Sequence, residues 1–287
     1  MSLLNPNLQA FHAITKTGTV HSAARELNLT QTAVTQRIRA LEKSLAITLF
    51  TRSRKGMLLT PEGNTLLRYV QSALELEGAT LSQISGSAIH QEIRTTITGP
   101  TSIIRSRVIP GTSGLLKSFP ELLFTYHLND FDNWLDELRK GTAQFAVIPR
   151  TQVPAEMESK LLKPEFFALV GPKKWKSRSL AEIVEQERII DFDQNDPMTM
   201  NYLKKFHLEN KITRERHYVN NTESLMELIE AGHGYGVLAL EFVEKFTREK
   251  NLVLLNQGRL YEHHMALCWY HRPEMPKYFQ ELIRSIK

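Results

Sequence analysis

A single cysteine, Cys268, occurs in 287 residues, so no intrachain disulfide is available. It lies in an apolar run and reads as an inert core residue. No segment approaches the length of a membrane helix, and the N-terminus lacks a basic-then-apolar signal pattern, so the chain is expected in the cytoplasm without a membrane partner. His263 and His264 stand side by side, but adjacent strand residues point to opposite faces, and no His-Glu-x-x-His or comparable metal spacing occurs. There is no Gly-x-Ser-x-Gly elbow. Gly232, Gly234 and Gly236 follow a helix pattern and precede a strand, the reverse of the order a phosphate cradle requires, and read as a helix C-cap and close packing. No internal repeat stands out. With no catalytic constellation, the expectation is a protein that is not an enzyme and carries neither cofactor nor metal.

What is present is a soluble composition, 41% apolar, with an uneven charge. Residues 1–90 carry a net +4 and the remaining residues +1, so the basic excess sits at the N-terminal end. There, residues 19–60 read as two short helices joined by a tight turn and followed by a basic hairpin. Val20 to Leu27 forms the first helix, with Thr19 as cap and Ala23, Ala24 and Leu27 on one face. Asn28 and Leu29 turn the chain. Thr30 caps a second helix from Gln31 to about Leu45, with Val34, Ile38, Leu41 and Leu45 at helical spacing. Its other face presents Gln31, Thr32, Thr35, Gln36, Arg37 and Arg39, groups that either read base edges and phosphates or form a solvated polar face. The small-residue helix and short turn before it are helix-turn-helix geometry, which favours DNA. Leu49 to Arg52 and Met57 to Leu59 then make two strands with a tip at Ser53-Arg54-Lys55-Gly56, a wing whose Arg52, Arg54 and Lys55 are candidates for phosphate or minor-groove contact.

Thr60-Pro61-Glu62-Gly63 opens a helix running to about Ser85. Leu67, Leu74 and Leu81 recur every seven residues, as do Val70, Glu77 and Ile84. Either the helix packs on its own domain or Leu67, Val70, Leu74, Leu81 and Ile84 form a dimer seam; the polar remainder favours the seam, and a twofold dimer sets two reading helices on successive major grooves. Beyond a polar break at 86–92, short strands alternate with helices. Strands are expected at Ile93–Thr98, Leu122–His127, Phe145–Ile148, Phe166–Val170, Ile189–Phe192, His217–Val219, Tyr235–Leu238 and Ala266–Tyr270. Helices are expected at Ile103–Lys117, Phe131–Arg139, Met200–Phe206, Thr222–Ala231, Leu240–Thr247 and Lys277–Ile286. Such alternation implies an α/β fold of parallel sheets with helices on both faces, and about ten strands imply two subdomains.

Ala23-Ala24, Thr30-Gln31-Thr32-Ala33-Val34-Thr35, Leu41-Glu42, Leu49-Phe50-Thr51-Arg52 and Leu59-Thr60-Pro61-Glu62-Gly63 resemble the LysR-type transcriptional regulators. Phe119-Pro120 and Ala231-Gly232-His233-Gly234-Tyr235-Gly236 continue the likeness. The resemblance implies a winged helix-turn-helix at 1–60, a linker and dimerisation helix at 61–89, and a periplasmic-binding-protein-like effector domain at 90–287. Its two α/β subdomains would be 92–163 with 265–287, and 164–264. It further implies double-stranded promoter DNA as partner, a small-molecule effector, and a homodimer assembled into a tetramer. An architectural DNA-binding protein without effector, or an enzyme tethered to DNA, is the alternative.

By the same analogy the effector cleft takes in Pro100-Thr101-Ser102, as a carboxylate site or as plain caps. Pro149-Arg150 ends a strand at the rim, with Arg150 pairing an acid or simply exposed. Asn221-Thr222 opens a further helix, with Thr222 as its cap or as a pocket residue. Phe192-Asp193-Gln194-Asn195-Asp196-Pro197-Met198, Val219 to Glu223, Leu260-Tyr261 and Trp269 to Arg272 look like the branch that senses arginine or lysine, while the N-terminal domain is closer to the general family pattern. Asp193 and Asp196 would then suit an ammonium, or else cap the helix near Thr199.

Overall fold

A computed structural model describes residues 3–53, 56–85, 92–130, 133–247, 251–272 and 274–287, without the side chains of 79, 82–85 and 244–247. The chain opens with a helix that the sequence reading left unassigned, α1 (Pro6–Thr17), capped by the Asn5 carboxamide. It packs on α2 (Val20–Glu26) and α3 (Gln31–Leu45), whose caps are Thr19 and Thr30. Phe11, Ile14, Ala23, Ala24, Val34, Ile38 and Leu41 make one core, where the alanines leave room for the helices to approach. Leu45, at the end of the apolar spacing, is 43% exposed because α3 has by then run past that core. The α3 helix ends at Ala46, in a left-handed conformation, and Glu42 accepts a hydrogen bond from the Leu49 amide at 2.8 Å. That bond aims the chain into the hairpin β1 (Phe50–Ser53) and β2 (Gly56–Leu59).

The long helix α4 (Pro61–Ser85) starts on the Thr60 hydroxyl, which accepts from the Gly63 amide at 3.0 Å. Leu67 and Val70 are buried in the winged-helix core, and Leu74 packs against it. These three therefore correct the seam: the protomer's own α1 side has consumed that stripe. Leu81 is half-buried, and the Ile84 side chain lies outside the described residues.

The C-terminal part holds two sheets. The first has the order β4-β3-β5-β13-β6, built from β3 (Ile93–Gly99), β4 (Leu122–Leu128), β5 (Phe145–Pro149), β6 (Met157–Leu161) and β13 (Met265–Tyr270). β3 pairs in parallel with β4 and β5, whereas β13 returns antiparallel to β5 and β6. Between β3 and β4 the helix expected at Ile103–Lys117 is a broken run: α5 (Thr101–Ile103), a π-helical turn at Ile104–Val108, α6 (Ile109–Ser113) and α7 (Leu115–Ser118). The next helix, α8 (Trp134–Arg139), lies between β4 and β5. The terminal α13 (Lys277–Ser285) packs Phe279 on Phe145, ring centroids 4.3 Å apart.

The second sheet corrects the expectation of parallel strands. β7 (Glu165–Pro172) is its centre, and β10 (Gly236–Ala239), β11 (Leu252–Leu254) and β12 (Leu260–His263) all run antiparallel to it. β11 and β12 lie end to end along the edge opposite β10, joined by a turn too short for a parallel crossover. Parallel pairing survives in β8 (Ile190–Asp191) with β9 (His217–Tyr218), tied on by the Ile189–Tyr235 bridge. Around this sheet lie α9 (Leu180–Gln186), α10 (Met198–Lys205), α11 (Thr222–Ala231) and α12 (Leu240–Thr247). β6, α9, β11 and β12 were not expected from sequence.

Candidate DNA interface and effector cleft

The polar face of α3 is built by default: its apolar stripe is spent on the core, so the remaining residues point outward. Gln31, Thr32, Gln36 and Arg39 are exposed, and Thr35 and Arg37 are half-buried. The Thr35 hydroxyl donates back to the Gln31 carbonyl at 2.8 Å, and the Gln31 carboxamide lies 3.1 Å from His21 Nδ1. Arg37 reaches the Pro6 carbonyl at 3.5 Å, which leans it toward α1. Arg52 is exposed on β1; Arg54 and Lys55 lie outside the described residues. Met57 N donates to the Gly18 carbonyl at 2.9 Å, fixing the wing against the turn between α1 and α2. Reading helix and wing strand thus share one rigid mount, with amides, hydroxyls and guanidinia outward.

The two subdomains meet across ionic contacts. Arg105 of the π-helical turn pairs with Glu223 of α11 at 3.0 Å. Arg107 pairs with Glu241 of α12 at 2.5 Å and donates to the carbonyls of Pro164, at 3.0 Å, and Lys163. The expected carboxylate site at Thr101 is already taken by the chain's own acid. Asp130, just past the end of β4, accepts from the Thr101 amide and hydroxyl, each at 2.7 Å. A helix start favours an anion, and here the fold supplies one. Pro100 precedes α5 without a side-chain cap, and Ser102 sits beside Glu165 at the start of β7.

On the other subdomain, Asp193 accepts from the amides of Asn195, at 2.5 Å, and Asp196, at 3.0 Å. Asp196 accepts from the Met198 amide at 2.9 Å, which ties it to the first residue of α10. Burial pushes the Asp196 carboxyl up, and the charges of Asp191, Asp193 and Asp130 push it further. Asp130 raises Glu165 as well, so it stands near acids of both the crossover strand and the second subdomain. Asp191 is buried against Arg216 at 2.8 Å. Asn221, not Thr222, caps α11, accepting from the Ser224 amide at 2.9 Å. Pro149 pairs with Met265, and the Arg150 amide donates to the His264 carbonyl at 2.9 Å, placing both residues at the crossover; the Arg150 side chain is exposed.

Sequence reasoning missed Asp130 and Glu165. Asp130 follows the carboxyl end of an expected strand, where such folds bind ligands; Glu165 is an acid opening an apolar strand, a signal that was legible. Burial pushes the Cys268 thiol up to about 11, that of an inert core residue. Gly232 closes α11 with a left-handed backbone, and a Cβ on Gly234 would sit 2.3 Å from the Arg188 carbonyl oxygen, so these glycines serve packing.

Residues 6–64 match the bacterial regulatory helix-turn-helix protein family, lysR family, and residues 90–287 match the LysR substrate binding domain. The transcriptional regulator CzcR of Bacillus cereus is 46% identical over 69 residues, 24% of each chain; the match thus spans about a quarter of that relative's length. ArgP of Mycobacterium tuberculosis has the same fold, with a TM-score of 0.81 at 21% identity, over 99% of this chain and 96% of that one. Full-length LysG of Corynebacterium glutamicum with bound effector arginine superposes with a TM-score of 0.75 at 20% identity and the same coverage.

Proposed function

The chain belongs to the LysR family of bacterial regulators, and from that premise we propose that it is a transcription regulator whose binding to promoter DNA responds to a small cationic effector, a basic amino acid. Residues 1–60 grip the DNA through α3 and the wing, 61–89 join two copies, and 90–287 sense the effector. The effector class is supported by the charge of Asp130, which bears on both Glu165 and Asp196, so that acids from the first subdomain, the crossover strand and the second subdomain would line one acidic cleft. Such a cleft attracts cations and repels acids. LysG of Corynebacterium glutamicum, which shares the fold, holds arginine. Dimerisation uses the side of α4 turned from its own core, where Tyr69 is 61% and Leu76 56% exposed. Leu76, Ala73 and Thr80 line a hollow of about 240 Å³ with Leu3 and Leu4. Acting on DNA places the protein in the cytoplasm, and catalysis has no part in this role.

The test is calorimetric titration of the full chain with lysine, arginine, glutamate and norleucine, beside operator binding in a salt series with competitor DNA. Saturable binding of the basic amino acids alone, with operator affinity that survives competitor and shifts with effector, is the expected result. DNA binding that ignores every one of these metabolites and vanishes with competitor would point instead to an architectural protein.

A further inference from the structure

The first turns of α2 and α3 meet on the outer side of the winged helix. Thr19 caps α2 by accepting from the Ser22 amide at 3.1 Å, and Thr30 caps α3 by accepting from the Ala33 amide at 3.1 Å. Beneath them Ala23 and Ala24 share one core with Val34 and Ile38, and the Leu29 amide donates to the Ala24 carbonyl at 2.8 Å across the turn. Close packing and the turn hold the two backbones in a fixed relation. His21 is the second residue of α2, Gln31 is the first of α3, and both are exposed. Their side chains nevertheless meet, with His21 Nδ1 3.1 Å from Gln31 Nε2. A carboxamide nitrogen has no lone pair to offer, so it donates and the ring nitrogen accepts, which puts the ring proton on Nε2. A glutamine on a helix surface ordinarily samples several rotamers, and this contact holds one of them.

This inference rests on the reading of α3 as the helix that meets base edges and deepens it. We propose that His21 is a positioning residue for base recognition, holding the Gln31 carboxamide in the orientation that reads adenine. Gln31 has two N–H bonds. The one pointing away from Oε1 goes to His21, which leaves Oε1 and the other N–H side by side and outward. That pair matches adenine, whose N6 amino group donates to Oε1 and whose N7 accepts the N–H. Turning the carboxamide over would set Oε1 against the lone pair of Nδ1 and put the amide nitrogen where adenine presents its own donor. The Thr35 hydroxyl does not hold this carboxamide, since it donates to the Gln31 backbone carbonyl. Without the ring the carboxamide turns to suit either purine, so His21 supplies discrimination more than affinity.

The experiment is selection of bound duplexes from a random-sequence DNA library by the full chain, read by sequencing. It compares the wild type with Gln31→Ala, His21→Ala and His21→Asn, each checked by a thermal melt. The base pair that Gln31 reads is the one whose preference vanishes in Gln31→Ala. The wild type is expected to select adenine over guanine there. His21→Ala should lower that ratio about 3- to 10-fold and leave the other pairs near wild type. His21→Asn should restore most of the ratio, because its Oδ1 takes the place of Nδ1 and accepts the same N–H. An unchanged ratio in His21→Ala overturns the proposal, as does a wild type that selects guanine at this pair. Equal losses at every pair show a phosphate contact or a merely structural role and overturn it too. His21→Asn behaving as His21→Ala removes the acceptor role. Gln31→Ala that alters no base pair removes instead the base-reading role of Gln31 on which the proposal stands.

Discussion

At Gly56 the backbone takes φ +121°, and an added Cβ would lie 2.5 Å from the Gly18 carbonyl oxygen, the atom that receives the Met57 amide. Neither the angle nor the space admits a side chain, so the wing can sit against the first turn only with glycine there. Gly56→Ala is expected to destabilise the winged helix by about 2–4 kcal/mol and to weaken operator binding with it. A thermal melt unchanged from wild type would remove this account of the wing. Glu165 shows the opposite economy, a residue that destabilises the fold it belongs to. Its folded carboxyl sits at about 7 against an ordinary 4.5. The folded state therefore holds more protons than the unfolded one between those values, and stability falls as pH rises through that window. Glu165→Gln keeps the neutral form at every pH. Its stability relative to wild type should grow from pH 5 to pH 8, by at most about 3 kcal/mol. Denaturant midpoints that keep a constant offset across that range would count against burial as the cause.

At the scale of elements, α3 was legible almost to the residue. Thr30 caps it, Val34, Ile38 and Leu41 fill its core side, and the polar face is what remains. Local signals fix such a helix because cap, spacing and stop all lie within it. α4 was legible as a helix but not in its partner. A heptad records that a stripe is apolar, not which surface covers it, and Leu67 and Val70 are covered by the protomer's own core. The exposed Tyr69 and Leu76 on the other side share the same spacing of seven. Leu76→Glu is accordingly expected to give monomers in sedimentation with the melting temperature nearly unchanged. Leu67→Ala should cost about 2–4 kcal/mol of stability and leave the dimer in place. The reverse pattern would restore the original seam. The acids of the cleft were half legible for a related reason: Asp193 and Asp196 sit in one loop, whereas Asp130 and Glu165 join them only through sheet pairing and the crossover.

At the scale of the whole molecule, the linker helix α4 and the sensing domain are bolted together by a polar latch. Glu75 of α4 accepts from Arg272 at 2.5 Å and from the Tyr278 hydroxyl at 2.9 Å, with the Glu75 and Arg272 side chains 17% and 13% exposed. Burial, and next the Glu75 charge, push the Tyr278 phenol well above its ordinary range, so it remains a donor at every working pH. Around this pair, Arg68 lies over the Tyr270 ring at 4.1 Å and donates to the Arg139 carbonyl at 2.5 Å, while Gln71 donates to the Gly141 carbonyl at 3.1 Å. Arg272 follows β13 by two residues, and β13 begins at the crossover beside His264. A shift of one subdomain against the other would thereby be applied at one end of a strand whose other end holds the linker helix. Glu75→Ala strands a mostly buried guanidinium and is expected to cost about 3 kcal/mol at this contact. The loss is local: amide hydrogen exchange should quicken along residues 67–77 and 139–141 and stay at wild-type rates in α10 and α11. With the latch open, the proposed basic amino-acid effector should still bind, while its effect on operator affinity shrinks because the contact joining the two domains is gone. Uniformly faster exchange across the chain would mean that Glu75 supports the fold as a whole. An undiminished effector response in a variant with the expected local exchange would mean that the signal passes to DNA by another route.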